Sequence, residues 1–395
     1  LSPSLRGIAG RLAARLPEPV QMRLNPRKYG FRETDVPAPV QAPDTPIRLY
    51  IAPVNFAGQG YEWARAAERV PGVGAVDMQY RNADDLGFPS DYALPTIVFS
   101  RSRRWQRAQF EAVARGFTHV IIEAERPIFG TLFDGDVDLE VAALRDHGVS
   151  VAMLSHGSDL RLPSRHRQID RWSPFVDEDW DLVDILEEQS AGHLRLLGRL
   201  GAPVFVSTPD LLLDWPTATW LPLVVPPEPW RGGPEPLARD VPIVVHAPSN
   251  ARIKGSALID GTMQSLHDRG LVEYRRIERV TASEMPALYR DADVVLEQFR
   301  IGTYSRAAVE AMCAGRVVVA HVHDQVREHV RTATGLDAPV VEATPDSLER
   351  LIRDLLDRRA HYREVARAGV EFAAAVHDGR LSAEVLRPFL LGDAR

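Results

Sequence analysis

Arg252 and Lys254 stand two residues apart, between a short β-rich run over 241–246 and a helical pattern over 256–269. A strand end that runs into a helix start gathers backbone N–H groups and the positive end of the helix dipole, and together these attract an anion. Two cations there, beside Ser249 and Asn250, suit a diphosphate whose charge grows as it departs. The plainer reading is a pair of solvated loop cations. Composition leans against it: Lys occurs twice among 47 basic residues, at Lys28 and Lys254. A compact ammonium does not do the work of a guanidinium, so a Lys kept in an Arg-rich chain marks a place to look.

A second cluster opens the helix expected over 304–314. Gly302 permits a tight turn and close backbone approach. Thr303, Tyr304 and Ser305 add N–H groups and hydroxyls at the helix start. Glu310 falls inside the helix among Ala311, Met312, Ala314 and Gly315. A carboxylate in such company needs a partner. The vicinal diol of a ribose satisfies both oxygens, and so does an Arg or a backbone amide.

The first half of the chain carries its own candidates. Gly58, Gln59 and Gly60 form a loop after the run 47–54, but Trp63 stands where a dinucleotide fingerprint needs its third Gly. The loop therefore suits acceptor contacts, or a plain turn, better than NAD. His156 and Asp159 follow the strand expected over 149–155, and Glu123, Glu125 and Arg126 end another. His119, His321 and His323 show no ligand spacing, so no zinc site is expected. Neither a nucleophile elbow nor a P-loop is present.

The elements that must hold these residues alternate. Strands are expected over 47–54, 96–100, 119–123, 149–155 and 203–207, with helices over 61–70, 105–115, 138–147 and 182–200. After a Pro- and Trp-rich crossing the pattern restarts, with strands over 241–246, 271–277, 293–297 and 317–321. Helices are expected over 256–269, 283–290 and 304–314, and most of 345–374 is helical. Such alternation predicts an α/β protein with parallel sheets covered on both faces. Two such units make a cleft, and ligands bind at the carboxyl ends of their strands.

At 395 residues, two domains are expected. One Cys excludes an internal disulfide framework. A net charge of -7 argues against a nucleic-acid partner. Residues 1–32 nevertheless carry seven basic residues against Glu18, with Leu5, Ile8, Leu12 and Leu16 at helical spacing. Such a helix lies on an anionic membrane surface or packs on its own domain.

Here the sequence resembles a two-domain glycosyltransferase of the GT-B architecture, near the family-four retaining enzymes. Lys254-Gly255 resembles the family's Lys-Gly, whose Lys contacts the donor diphosphate. The stretch from Val280 to Gln298 resembles the approach to the donor site. Glu310-Ala311-Met312 through Val317-Val318-Val319 resembles the signature whose Glu binds the nucleotide ribose. His156 matches the acceptor-domain His that approaches the transferred sugar. The resemblance implies two Rossmann-like domains facing across a cleft. Residues 46–220 would bind a glycan, lipid-linked or small-molecule acceptor, and 241–375 a nucleotide-sugar donor. Residues 1–45 form a basic helix and Pro-rich linker, 221–240 the interdomain linker, and 376–395 a segment returning to the first domain. No cofactor or metal is implied, because fixed cations take the metal's role; a cytoplasmic location is implied, peripheral on the inner face of the membrane. Two departures stand out. The first Glu of the family's E-x7-E motif is Gly302 here, and the family's Arg five residues before the Lys is Ser249. The first departure keeps open a non-catalytic nucleotide- or glycan-binding subunit. A nonhydrolysing sugar-nucleotide epimerase shares the architecture.

Overall fold

The computed structural model describes residues 30–392, except Ala83, Asp84, Leu86 and Arg279. The basic segment 1–32 lies outside the described residues but for its last three.

Two parallel sheets organise the chain. The first holds β1 (Ile47–Ala52), β2 (Val73–Arg81), β3 (Tyr92–Pro95), β4 (His119–Glu123), β5 (Ser150–Ser155), β6 (Val204–Val206) and β7 (Thr219–Trp220). Its order is β3-β2-β1-β4-β5-β6-β7. The second holds β8 (Ile243–His246), β9 (Glu273–Arg276), β10 (Val294–Leu296), β11 (Val317–Ala320) and β12 (Val340–Glu342), in the order β12-β11-β10-β8-β9.

The strands are apolar on both faces because helices cover both. In β1, Leu49 and Ile51 enter one buried layer while Tyr50 and Ala52 enter the other. In β10, Val294 and Leu296 face one layer and Val295 the opposite one. This is the two-residue period of a strand, read twice. Helix Gln59–Ala67 sets Trp63, Ala64 and Ala67 against Leu49 and Ile51. The C-terminal helix, Arg380–Leu391, adds Leu386 and Leu390 to that same layer.

Each sheet reverses its strand order once, between β1 and β4 in the first and between β8 and β10 in the second. At such a reversal the flanking connections leave to opposite faces, and a crevice opens at the strand ends. Part of the candidate set, Lys254 and His156 with Glu123 among it, stands at these two crevices.

Residues 36–46 are extended, and they lie against the first sheet's helices. Val40 is buried, and its N–H donates to Gln109 Oε1 at 3.0 Å. Ala38 O accepts from the Tyr92 hydroxyl at 2.8 Å. The run 96–100 differs from expectation: it is a helix, Thr96–Arg101. Its Ile, Val and Phe favour a strand, but Tyr92–Pro95 already occupies the place beside β2. Val98 and Phe99 then bury from a helical turn, and packing overrides propensity. Strand β2 escapes the pattern because Asp77 and Gln79 interrupt its apolar run, although both are buried.

The crossing between sheets is held by polar groups. The amide of Gln59 donates to Val224 O at 2.9 Å and accepts from Val224 N at 2.8 Å. Trp63 Nε1 and Ser382 Oγ both donate to Pro222 O, each at 2.8 Å. Leu223 O takes a bond from His377 Nδ1 at 2.7 Å. Replacing Gln59 with Ala strands a buried donor and a buried acceptor, so Gln59→Ala should cost about 2–3 kcal/mol in urea unfolding. An unchanged midpoint would show that the crossing does not depend on this clasp.

Candidate active site

The crevice of the second sheet is built from the ends of β8 and β10. Asn250 caps a single helical turn, Ala251–Lys254, by accepting from Ile253 N at 3.1 Å. Gly255, at φ +79°, ends that turn and opens helix Ser256–Asp268. Lys254 is thereby aimed across β8 at Glu297, which directly follows β10. The Lys254 ammonium donates to Glu297 Oε1 and, at 2.9 Å, to Ser305 Oγ. Ser305 in turn donates its hydroxyl proton to Glu297 Oε1 at 2.7 Å. Glu297 is buried, and its Oε2 has no protein partner among the described residues.

Glu310 sits one turn into helix Arg306–Cys313. Burial raises its carboxyl pKa, while Arg306, whose Nε donates to Oε1 at 2.6 Å, and Lys254 pull it down. Arg306 also reaches Ala57 O in the first domain and lies over the Phe88 ring. Gly58 stands just beyond, in the left-handed region at φ +74°, where an added Cβ would lie 3.2 Å from Arg306 Nη1.

Several candidates are placed elsewhere. Arg252 turns to the first domain, pairing with Asp177 at 3.0 Å and Asp179 at 2.7 Å. Tyr304 is buried, with its hydroxyl 3.2 Å from His377 Nε2. Thr303 is buried too, and its carbonyl accepts from Gln298 Nε2. Ser249 is exposed, and Val280 is half-buried on the connection after β9. Gln59 spends its amide on the crossing, as described above.

Gly302 is at φ +73°, and a Cβ added there would meet the His323 imidazole at 2.1 to 2.4 Å. His323 N also donates to Gly302 O at 2.8 Å. The space a side chain at 302 would claim is therefore filled from the loop after β11.

The first sheet's crevice faces this one. His156 follows β5, and its Nε2 donates to Glu123 Oε1 at 3.1 Å. Glu123 Oε2 accepts from Asn55 N at 3.0 Å and Val54 N at 3.3 Å. A carboxylate only accepts, so a proton stands on His156 Nε2. Asp159 fixes the turn by accepting from His156 N at 2.7 Å and from Gly157 N. Phe56 and Trp63 pack on the imidazole with ring centroids 5.2 and 5.6 Å away. Gly60 lies close to Glu123, with room for a Cβ only 3.2 Å from Oε2. Arg126 donates to the Tyr80 hydroxyl at 2.6 Å and lies over the Phe56 ring. Ala124 and Glu125 both adopt left-handed backbone, at φ +56° and +53°. Such strain in non-glycine residues concentrates at functional sites. Burial, with Asp159 nearby, raises the Glu125 pKa well above the usual carboxylate range, although Ser155 Oγ donates to it at 2.6 Å.

Three further groups shape this arrangement. Glu297 reads in the sequence as the end of a strand, although a carboxylate at a carboxyl edge beside a Lys is a usable signal. Arg306 pairs with Glu310 at i,i+4, a spacing the sequence offers, whereas its bond to the Ala57 carbonyl, far along the chain, leaves none. Arg300, buried between the domains, donates to Trp172 O at 2.7 Å, to Ser173 O at 2.8 Å and to both oxygens of Asp177.

No protein-family model matches the chain, and no curated protein matches it by sequence. Solved structures do match its fold. Sucrose-phosphate synthase from Thermosynechococcus elongatus superposes with a TM-score of 0.55 at 12% identity, over 88% of this chain and 99% of that one. HepE from Anabaena, in complex with UDP and glucose, gives 0.55 at 12% identity, over 87% and 98%. A glycosyltransferase from Rickettsia africae gives 0.52 at 10% identity, over 88% and 98%. The architecture is thus the GT-B fold, as the resemblance implies.

Any side chain at 302 must adopt left-handed backbone and displace His323. Gly302→Ala should lower stability by about 2–4 kcal/mol in urea unfolding, from backbone strain and overpacking together. A loss below about 0.5 kcal/mol, the usual range for an unconstrained surface site, would show that the loop yields freely.

Proposed function

We propose that this chain transfers a sugar from a nucleotide-sugar donor to a glycan, lipid-linked or small-molecule acceptor. The second domain holds the nucleotide and the first holds the acceptor. The observation that carries this reading is the Lys254–Ser305–Glu297 cluster at the order reversal of one sheet, facing His156–Glu123 at the order reversal of the other. The HepE structures in complex with UDP and with UDP-glucose support a nucleotide-sugar as the donor.

An ammonium has three N–H donors. Lys254 keeps one on Glu297 and one on Ser305, and turns the third to the departing diphosphate. Glu297 holds the ammonium in place before the ligand arrives, so little reorganisation is needed when charge develops. Arg252 adds a second cation once the diphosphate displaces Asp179, which is exposed and costs little to release. Glu310, oriented by Arg306, binds the ribose diol. His156 orients the donor sugar through its imidazole; its carbonyl already accepts from Ser207 Oγ at 3.1 Å. Transfer proceeds with retention, without a metal at the diphosphate, in the manner of the family-four enzymes. A basic N-terminal segment would bring the enzyme to the inner face of the membrane. Among the described residues no helix is long and apolar enough to cross one.

Gly302 favours a second reading, a non-catalytic nucleotide- or glycan-binding subunit. Incubating the protein with UDP-, GDP- and dTDP-sugars separates the readings. Slow release of free nucleotide supports transfer, and a changed sugar still joined to its nucleotide would mark an epimerase. Binding of a nucleotide-sugar with no turnover across a panel of acceptors supports the subunit. Truncating Lys254 outright removes from buried Glu297 both the cation and the hydrogen-bond donor at position 254, so Lys254→Gln is the cleaner variant. It keeps a donor on Glu297 and removes the positive charge. Turnover should fall on the order of 100-fold, with donor KM changed far less. Wild-type turnover in Lys254→Gln would sink the assigned role. In liposome sedimentation, a variant lacking residues 1–29 should lose binding to anionic vesicles. Equal sedimentation by the full chain would remove the membrane contact. Residues 30–45 must stay, because Phe31 and Val40 belong to the core.

A further inference from the structure

We propose that Asp170, His321 and His323 form a binding site for a divalent ion of the zinc class, which ties the two domains together. This site plays no part in the transfer reaction above and does not depend on that reading.

The three residues come from opposite sides of the cleft. Asp170 ends helix Pro163–Ile169 of the first domain, while His321 and His323 lie on the loop after β11. One oxygen or ring nitrogen from each lies within 4.8 Å of the other two. Asp170 Oδ2 is 2.9 Å from His323 Nε2 and 3.3 Å from His321 Nε2. A tetrahedral ion with bonds of about 2.0–2.1 Å sets neighbouring ligand atoms roughly 3.4 Å apart, so the donors already stand near the corners of such a site.

The surroundings aim the donors. Asp170 Oδ1 accepts from Trp172 N at 2.7 Å, which turns Oδ2 toward the imidazoles. His321 Nδ1 lies 2.6 Å from Glu342 Oε1, and Glu342 Oε2 is itself held by Val322 N at 2.9 Å and Arg327 at 3.0 Å. A carboxylate on the far nitrogen is the usual support of a metal-ligating His, because it fixes the tautomer and frees Nε2 to bind. The His323 ring is seated against Gly302, where no Cβ competes for its space.

Both nitrogens of His321 face carboxylate oxygens, Asp170 Oδ2 at 3.3 Å and Glu342 Oε1 at 2.6 Å, so an ion at Nε2 would meet a carboxylate on each side of the ring. Two imidazoles and one carboxylate prefer zinc, cobalt or nickel to calcium or magnesium, which favour all-oxygen shells. Three protein ligands leave a coordination position for water.

The test uses tag-free full-length protein, stripped with a chelator and then dialysed against micromolar Zn²⁺ or Co²⁺. Elemental analysis should find about one equivalent, and the cobalt form should show the visible absorption of a tetrahedral N- and O-ligated ion. Chelator should lower the melting temperature of the loaded protein. His321→Ala/His323→Ala should bind less than a tenth as much, as second-shell and ligand losses of this kind commonly do. Asp170→Asn, which keeps the shape of the site, should weaken cobalt binding with the protein still folded. Absence of bound metal in the wild type, or equal binding by the folded double or Asp170→Asn variant, would overturn the proposal.

Discussion

Glu297 is a carboxylate without exposure at the carboxyl end of β10, and a charge so placed must have a cation on it. Much of the second domain's crevice follows from that need. The cation comes from Lys254, which can reach only because the helical turn Ala251–Lys254 stops at Gly255. Gly255 must be glycine on two counts. Its φ is +79°, and a Cβ there would lie 2.8 Å from Arg300 Cγ. The close approach lets Phe299 N donate to Lys254 O at 3.0 Å and brings Arg300 beneath the turn. Arg300 then extends to Asp177 and to the Trp172 and Ser173 carbonyls of the first domain. One buried ion pair thus sets both the position of the Lys254 ammonium and the docking of the two domains.

The interface that results is polar, and its parts differ in permanence. Arg300 is nearly buried and makes four hydrogen bonds, so removing its partners would leave a stranded charge. Arg252 shares Asp177 with it but has its other bonds on Asp179, which is open to water. Screening makes that pair weak. An anion with several acceptor oxygens can therefore take Arg252 without loosening Arg300. The arrangement lets a ligand bind at the cleft while the domains stay docked.

Fold class was legible in the sequence because both sheets are buried on both faces. Apolar runs of four to six residues alternating with helices have few other solutions. Where the reading missed, packing had outvoted local chemistry: β2 carries buried Asp77 and Gln79, and Thr96–Arg101 is β-rich yet helical. The site was legible in part, for a similar reason. Lys254 and Glu310 stand beside strand ends and helix starts, positions that a linear reading can mark. Glu310 has Arg306 four residues away, but the other contacts that shape the site come from far along the chain or from backbone. Arg306 bonds Ala57 O, His323 fills the space at Gly302, and Asp170 meets His321 from the other domain. None of these pairs leaves a spacing to read.

Gly302 shows why a motif departure is poorly judged by one position. In the sequence it looks like a carboxylate lost from a pair. In the structure, residue and neighbour fit each other: the left-handed backbone at 302 and the His323 ring occupy space that a side chain at 302 would need. A glutamate placed there would have to evict an imidazole held by Asp170 at 2.9 Å, so a glutamate at 302 alone does not recover the family's geometry. The loop from Glu297 to Ser305 is instead pinned by Gln298, whose Oε1 accepts from Ile301 N at 2.8 Å and whose Nε2 donates to His321 O at 2.8 Å.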